Sequence, residues 1–149
     1  MRMPPTRPDW LTAIRRYFAF SALGHALWEA AQMPFYTIWR DGTWPEILFA
    51  GLHCAGGDLL IATAALIGSL VIAGNSGWPG RGVGAVAVLT LVIGFTYTVF
   101  SEWLNTEVRG SWAYADIMPV LPVIGTGLTP LLQWIVVPIF ALRWARRGA

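Results

Sequence analysis

The chain has 149 residues, of which 56% are hydrophobic and only 12% charged, with a net charge of +2 and a mean hydropathy of +0.56. A soluble domain of this size carries roughly twice that share of charge, so the composition excludes an ordinary water-soluble globule and leaves one polytopic membrane domain spanning residues 1–149. The arginines sit at the chain ends and at loops, which excludes a nucleic-acid surface, and the single cysteine, Cys54, excludes an intrachain disulfide.

Four apolar blocks follow one another at about 14–39, 46–73, 82–105 and 118–144. Each exceeds the ~20 residues that cross about 30 Å of hydrocarbon as a helix. The first opens with Arg15 and Arg16, as a signal peptide would. It carries His25 and Glu29, however, and runs past Tyr36 without a small-residue cleavage site. It therefore reads as a retained helix that Pro34 kinks or ends. Turn chemistry separates the blocks at Arg40-Asp41-Gly42-Thr43-Trp44-Pro45, at Gly74-Asn75-Ser76-Gly77-Trp78-Pro79-Gly80, and from Thr106 to Asp116. In the fourth block Pro119, Pro122, Pro130 and Pro138 predict irregular backbone with an unwound beginning, which is tolerated at membrane depth only around a cavity or inside protein.

Four spans place Arg2, Arg7, Arg15, Arg16, Arg81, Arg143, Arg146 and Arg147 on one side and only Arg40 and Arg109 on the other. The positive-inside rule then puts both termini in the cytoplasm. Trp39, Trp44, Trp78, Trp103, Trp112 and Trp144 fall near the expected interfaces, as an aromatic belt does. All ten cations are arginine and none is lysine, which reads as the codon usage of a GC-rich bacterium. The expected architecture is an all-α, polytopic four-transmembrane-helix bundle in a bacterial inner membrane.

Six ionisable side chains lie inside these blocks or at their mouths: His25, Glu29, His53, Asp58, Glu102 and Asp116. A carboxylate at mid-bilayer costs about 2.5–3.5 kcal/mol, so several together need partners or a purpose. Helical spacing gathers His25, Glu29, Gln32 and Tyr36 on one face of the first helix. Thr98, Ser101, Glu102 and Asn105 form a stripe on the third, and Thr126, Thr129 and Gln133 on the fourth. His53 and Asp58 point about 140° apart on the second, so they are not expected to serve one site equally. At ~1.5 Å per residue, Glu29 and Asp58 lie about 15–17 Å deep, His53 about 10 Å, His25 about 21 Å and Glu102 near the outer surface. The roughly 11 Å between the histidines argues against a haem held by both, and no His-x-x-His motif marks a metal site. Gly24, Gly51, Gly56, Gly57 and Gly94 read as close-packing positions.

Two local motifs resemble known families. His25-Ala-Leu-Trp-Glu29 resembles the His-x-x-x-Glu helix of the emopamil-binding (EXPERA) sterol isomerases, and Gln32-Met33-Pro34-Phe35-Tyr36 is similar to a stretch in their sigma-2 receptor relatives. The resemblance implies acidic groups around an apolar cavity that stabilise a carbocation or bind an amphiphilic amine, with Glu29 and His25 as the proton-handling pair. Trp103-x-Asn105, Gly110-x-Trp112 and Tyr114 resemble the lycopene-cyclase domain of small membrane proteins, although Pro130-Leu131-Leu132-Gln133 stands where that family has Pro-x-Glu-Glu. As a whole the chain also resembles uncharacterised four-helix inner-membrane proteins of alphaproteobacteria, which implies no function.

The leading expectation is a polar-lined cavity that binds or transforms a membrane lipid or isoprenoid-like ligand by isomerase- or cyclase-like proton transfer. Glu29 is the expected acid and His25 its proton partner, with Asp58 and Glu102 stabilising positive charge. Trp28, Gln32, Tyr36, His53, Trp103, Asn105, Trp112, Tyr114, Asp116 and Gln133 are the expected contacts of the ligand. No metal ligand set and no particular cofactor is assigned. The competing expectations are a metal, haem or proton-handling subunit of a redox or transport complex, and a non-catalytic accessory subunit, each with a homo-oligomer or a membrane complex as partner.

Overall fold

The computed structural model describes residues 9–74 and 76–147. Arg2, Arg7 and Asn75, which enter the orientation and turn readings, lie outside the described residues. Helix α1 runs over Trp10–Gln32. It starts where Asp9 accepts from the Thr12 N–H at 3.0 Å and from the Thr12 hydroxyl, an N-cap that holds the Asp9 carboxyl below the usual carboxylate range. It ends before Pro34, whose missing N–H and ring cannot continue the ladder, and a 3-10 turn, Met33–Phe35, follows. The first span predicted over 14–39 is thus shorter, with a separate short helix α2, Ile38–Asp41, lying beyond the break.

Helix α3, Trp44–Ala73, begins with Pro45 in its first turn. The Glu46 carboxylate accepts from both the N–H and the hydroxyl of Thr43 at 2.7 Å, which satisfies donors that the helix start leaves open. Gly74, at φ +56°, closes the helix by donating to Leu70 and Val71, a left-handed cap that a side chain would strain. Helix α4, Val83–Trp103, widens into a π-turn, Leu104–Val108. There Asn105 and Thr106 side chains bond back to the carbonyls of Ser101 and Glu102 at 2.8 Å. Helix α5 spans Leu128–Ala145, so the fourth block is helical only from Leu128 and its prolines before that point lie in irregular chain.

Each of α1, α3, α4 and α5 runs antiparallel to the next, and they close a ring in the order α1, α3, α4, α5, with α5 packed back on α1. Close approach between helices is set by two glycines: a Cβ on Gly24 would lie 2.8 Å from Val137, and one on Gly94 only 2.2 Å from the Trp134 ring. Gly56 and Gly57, by contrast, face open space, which corrects their reading as packing positions. The apolar core fills the end of the bundle near the chain termini, with Tyr17, Ala62, Leu66, Trp78, Val86, Ala141 and Leu142 at its centre. Trp78 is fully buried there, edge-on to Trp10 at 5.5 Å, so its ring packs inside the protein and not outward as an aromatic-belt residue would.

Three segments, Trp44–Ala73, Val83–Val108 and Leu128–Ala145, are long and apolar enough to cross a membrane, and most of the first two faces outward. The exposed leucines and phenylalanines of α3, among them Leu48, Phe49, Leu52 and Leu60, suit hydrocarbon and not water. Helix α1 has 23 residues, about 35 Å, but its polar face lowers its hydropathy below that of the other three.

Candidate functional site

Every fourth residue of α1 from Ala13 to Glu29 is buried, so Tyr17, Ser21, His25 and Glu29 stack along one inward stripe. Gln32 extends it. From α3 comes Asp58, and from α5 comes Gln133, which is 1% exposed. The Gln133 amide nitrogen lies 2.7 Å from Asp58 Oδ2, 3.1 Å from Glu29 Oε1 and 3.0 Å from His25 Nδ1. Gln32 donates to Glu29 at 2.7 Å and to the Gln133 carbonyl at 3.2 Å. Asp58 Oδ2 is 3.6 Å from His25 Nδ1. Trp134 tilts against the imidazole with centroids 5.1 Å apart.

Counting protons gives this cluster its chemistry. The Gln133 amide carries two hydrogens and faces three acceptors, so it cannot serve all of them. The Glu29 and Asp58 carboxyls converge on that one nitrogen, at 3.1 and 2.7 Å. Two buried carboxylates that share a donor repel each other, and a proton held by the pair relieves the repulsion. The arrangement is a buried acid pair flanked by an imidazole.

Above the pair opens a cavity of about 320 Å³. Its walls bring Met33 and Tyr36 together with His53, Cys54 and Gly57 of α3, Tyr97 and Thr98 of α4, and Trp134 of α5. Glu102, Asn105, Arg109 and Trp112 line it toward the loop end. Glu102, near the loop end of α4, is nonetheless only 7% exposed. The reason is the irregular chain after α4, which folds back over it. Tyr114 donates to Glu102 at 2.5 Å and Tyr36 at 3.4 Å, while Gly127 N–H donates to the Tyr114 hydroxyl at 3.0 Å. Tyr36 and Tyr114 also form an isolated antiparallel bridge, which ties the two loops together. Burial, and then the facing Glu102, push the Tyr114 hydroxyl above the usual tyrosine range, so it stays a donor throughout neutral and mildly alkaline pH. Tyr114→Phe is expected to free the loop over 109–127, read as faster limited proteolysis there with the rest of the chain unchanged; wild-type cleavage rates would show the hydroxyl is not what anchors it.

No protein-family model, no curated protein and no solved structure matches this chain. The site is therefore read from its own geometry. His25, Glu29, Asp58, Gln32 and Gln133 meet in one cluster, and Glu102, Tyr36 and Tyr114 in a second, with the cavity between. His53 reaches the cavity from an exposed position, stacked on Phe49. Asn105 and Trp112 line it as well.

Four of the expected contacts do not line the cavity: Tyr114 stands behind Glu102, and the other three lie elsewhere. Trp28 donates to the Thr129 carbonyl at 3.1 Å between α1 and α5. Trp103 is 48% exposed beside Phe100, and Asp116 is exposed on the loop. Spacing overlooks Tyr97, Arg109 and Trp134, which the cavity includes, and Ser21 and Tyr17. The last two continue the four-residue period of His25 and Glu29 and are readable from it. Among the described residues, no three of His, Cys, Asp and Glu converge as ligands for a metal ion.

Proposed function

We propose that this chain is a four-span bundle of a bacterial inner membrane, with α1 as the fourth span and both termini cytoplasmic, that binds an isoprenoid-like lipid and transforms it by proton transfer. The observation that carries the reading is the buried Glu29–Asp58 acid pair at the floor of a cavity of about 320 Å³, a size that suits a small-molecule site. The pair gives its proton to an alkene carbon, and the cation on the neighbouring carbon is stabilised by the remaining carboxylates and by the faces of Tyr97, Trp112 and Trp134. Return of a proton from an adjacent carbon to the carboxylate completes an isomerisation with no net gain or loss of electrons. Gln133 and Gln32 hold the acids in place, and His25 takes or returns protons through Nδ1. The likeness of the His25–Glu29 segment to the sterol-isomerase helix supports the same assignment.

Native mass spectrometry of the full chain in mild detergent tests this. Wild-type protein is expected to retain an organic mass of lipid or isoprenoid size. Gly57→Phe places a ring in the open space beside Gly57 and should expel that mass. Glu29→Gln, nearly the same shape, should leave the bundle folded and abolish conversion of the retained compound once it is named. A wild-type chain that carries only detergent, or a Glu29→Gln protein that still converts the compound, overturns the proposal.

A further inference from the structure

Among the described residues, five buried polar side-chain atoms make no hydrogen bond of good geometry within the protein: Trp112 Nε1 and Ser21 Oγ, which still face Glu102 and the Tyr17 hydroxyl, and Gln32 Oε1, His25 Nε2 and Trp78 Nε1. They are not scattered. Trp112 and Gln32 line the cavity. His25 lies beneath the acid pair, and Ser21 is one turn further along the same stripe of α1. One more turn brings Tyr17, whose hydroxyl donates to the Ala62 carbonyl at 3.2 Å and which shares its buried cluster with Trp78. The series begins at the loop end and finishes at the end where α1 starts and α5 stops. Native interiors leave few polar atoms unpaired, and internal water is their usual partner.

We infer that these atoms mark a file of internal water along the inner stripe of α1, and that the file carries protons between the Glu29–Asp58 pair and the opposite face of the membrane. The imidazole is the junction. In the tautomer in which Nδ1 accepts from Gln133, the proton of His25 is on Nε2, the atom without a hydrogen bond. A proton passed from Asp58 to Nδ1, 3.6 Å away, lets the Nε2 proton leave to the file; no electrons move and no bond other than N–H and O–H changes. Rotation of the ring, or flow in the reverse direction, restores the first tautomer. The groups that face the imidazole are Glu29 on its own helix, Asp58 from α3, and Gln133 and Trp134 from α5, so the acid pair is its direct source of protons. The inference rests on the bundle crossing the membrane and does not depend on what the cavity binds.

Two measurements on the full chain test it. Radiolytic hydroxyl labelling in detergent reads water beside side chains closed to bulk solvent: Trp78 is 0% and Tyr17 2% exposed. Both are expected to be oxidised at rates near that of exposed Trp44, and more slowly in Ser21→Val. Unlabelled Trp78 and Tyr17 in the wild type overturn the file. In vesicles with an internal pH dye and a valinomycin-driven potassium potential, wild type should acidify or alkalise the lumen faster than protein-free vesicles. Ser21→Val should fall to the protein-free rate while keeping any ligand mass, and Ser21→Thr, which keeps the hydroxyl, should conduct. A labelled file without flux above protein-free vesicles overturns the proton path. Equal flux in wild type and Ser21→Val, or a Ser21→Thr protein as inert as Ser21→Val, overturns the place given to Ser21.

Discussion

Gln133→Leu is expected to destabilise the bundle by about 3–5 kcal/mol, because it removes one partner from several buried groups at once. The amide touches Asp58, Glu29 and His25 and accepts from Gln32, and it is almost completely buried. Leucine has similar volume, so no large cavity opens and the loss is one of polar satisfaction. Two carboxyls and an imidazole then share only the Gln32 amide and their own protons. Thermal unfolding in detergent, followed by circular dichroism, reads the effect. A midpoint within about 2 °C of wild type would mean the cluster is satisfied by internal water and does not need Gln133.

The second large effect lies on the neighbouring helix, α4. Gly94→Ala places a methyl group 2.2 Å and 2.4 Å from two carbons of the Trp134 ring, far inside contact distance. Overpacking of this kind costs about 1–3 kcal/mol, and a buried indole with 1% exposure has little room to retreat. The ring is also the wall against His25, so its displacement disturbs the imidazole. Gly57→Ala is the internal control: the same change in a helix, but with nothing within 4 Å of the new methyl. Removing a helical glycine stabilises by up to about 1 kcal/mol, so the two substitutions should shift the unfolding midpoint in opposite directions. Shifts of the same sign would contradict the close contact between α4 and α5.

Much of this arrangement is legible in the sequence, and the limits have physical causes. Apolar length gives the helices, and Pro34 gives the end of α1, because proline chemistry acts locally. The faces of His25, Glu29 and Gln133 follow from helical period alone. Periodicity does not say how far a loop folds back, and so the cover that Tyr114 gives Glu102, the penultimate residue of α4, is not legible from it. Trp78 shows the same limit: a tryptophan in a turn between spans suits an interface, but packing against Trp10 takes it into the core. Gly94 and Gly57 look alike in the sequence, and only the neighbouring helix decides which one is a contact and which one faces space.

The ring order of the helices has a consequence for biogenesis. Helix α1 leaves the ribosome first, yet Gln133, which binds Glu29, stands 104 residues later in the last helix. At 5–20 residues per second that interval is roughly 5–20 s. Throughout it, Glu29 and His25 lack their α5 partner, and α1 is the least apolar of the four helices. A nascent chain stalled before α5 therefore carries this polar stripe uncovered, because only the last helix supplies the amide that joins Glu29 to Asp58.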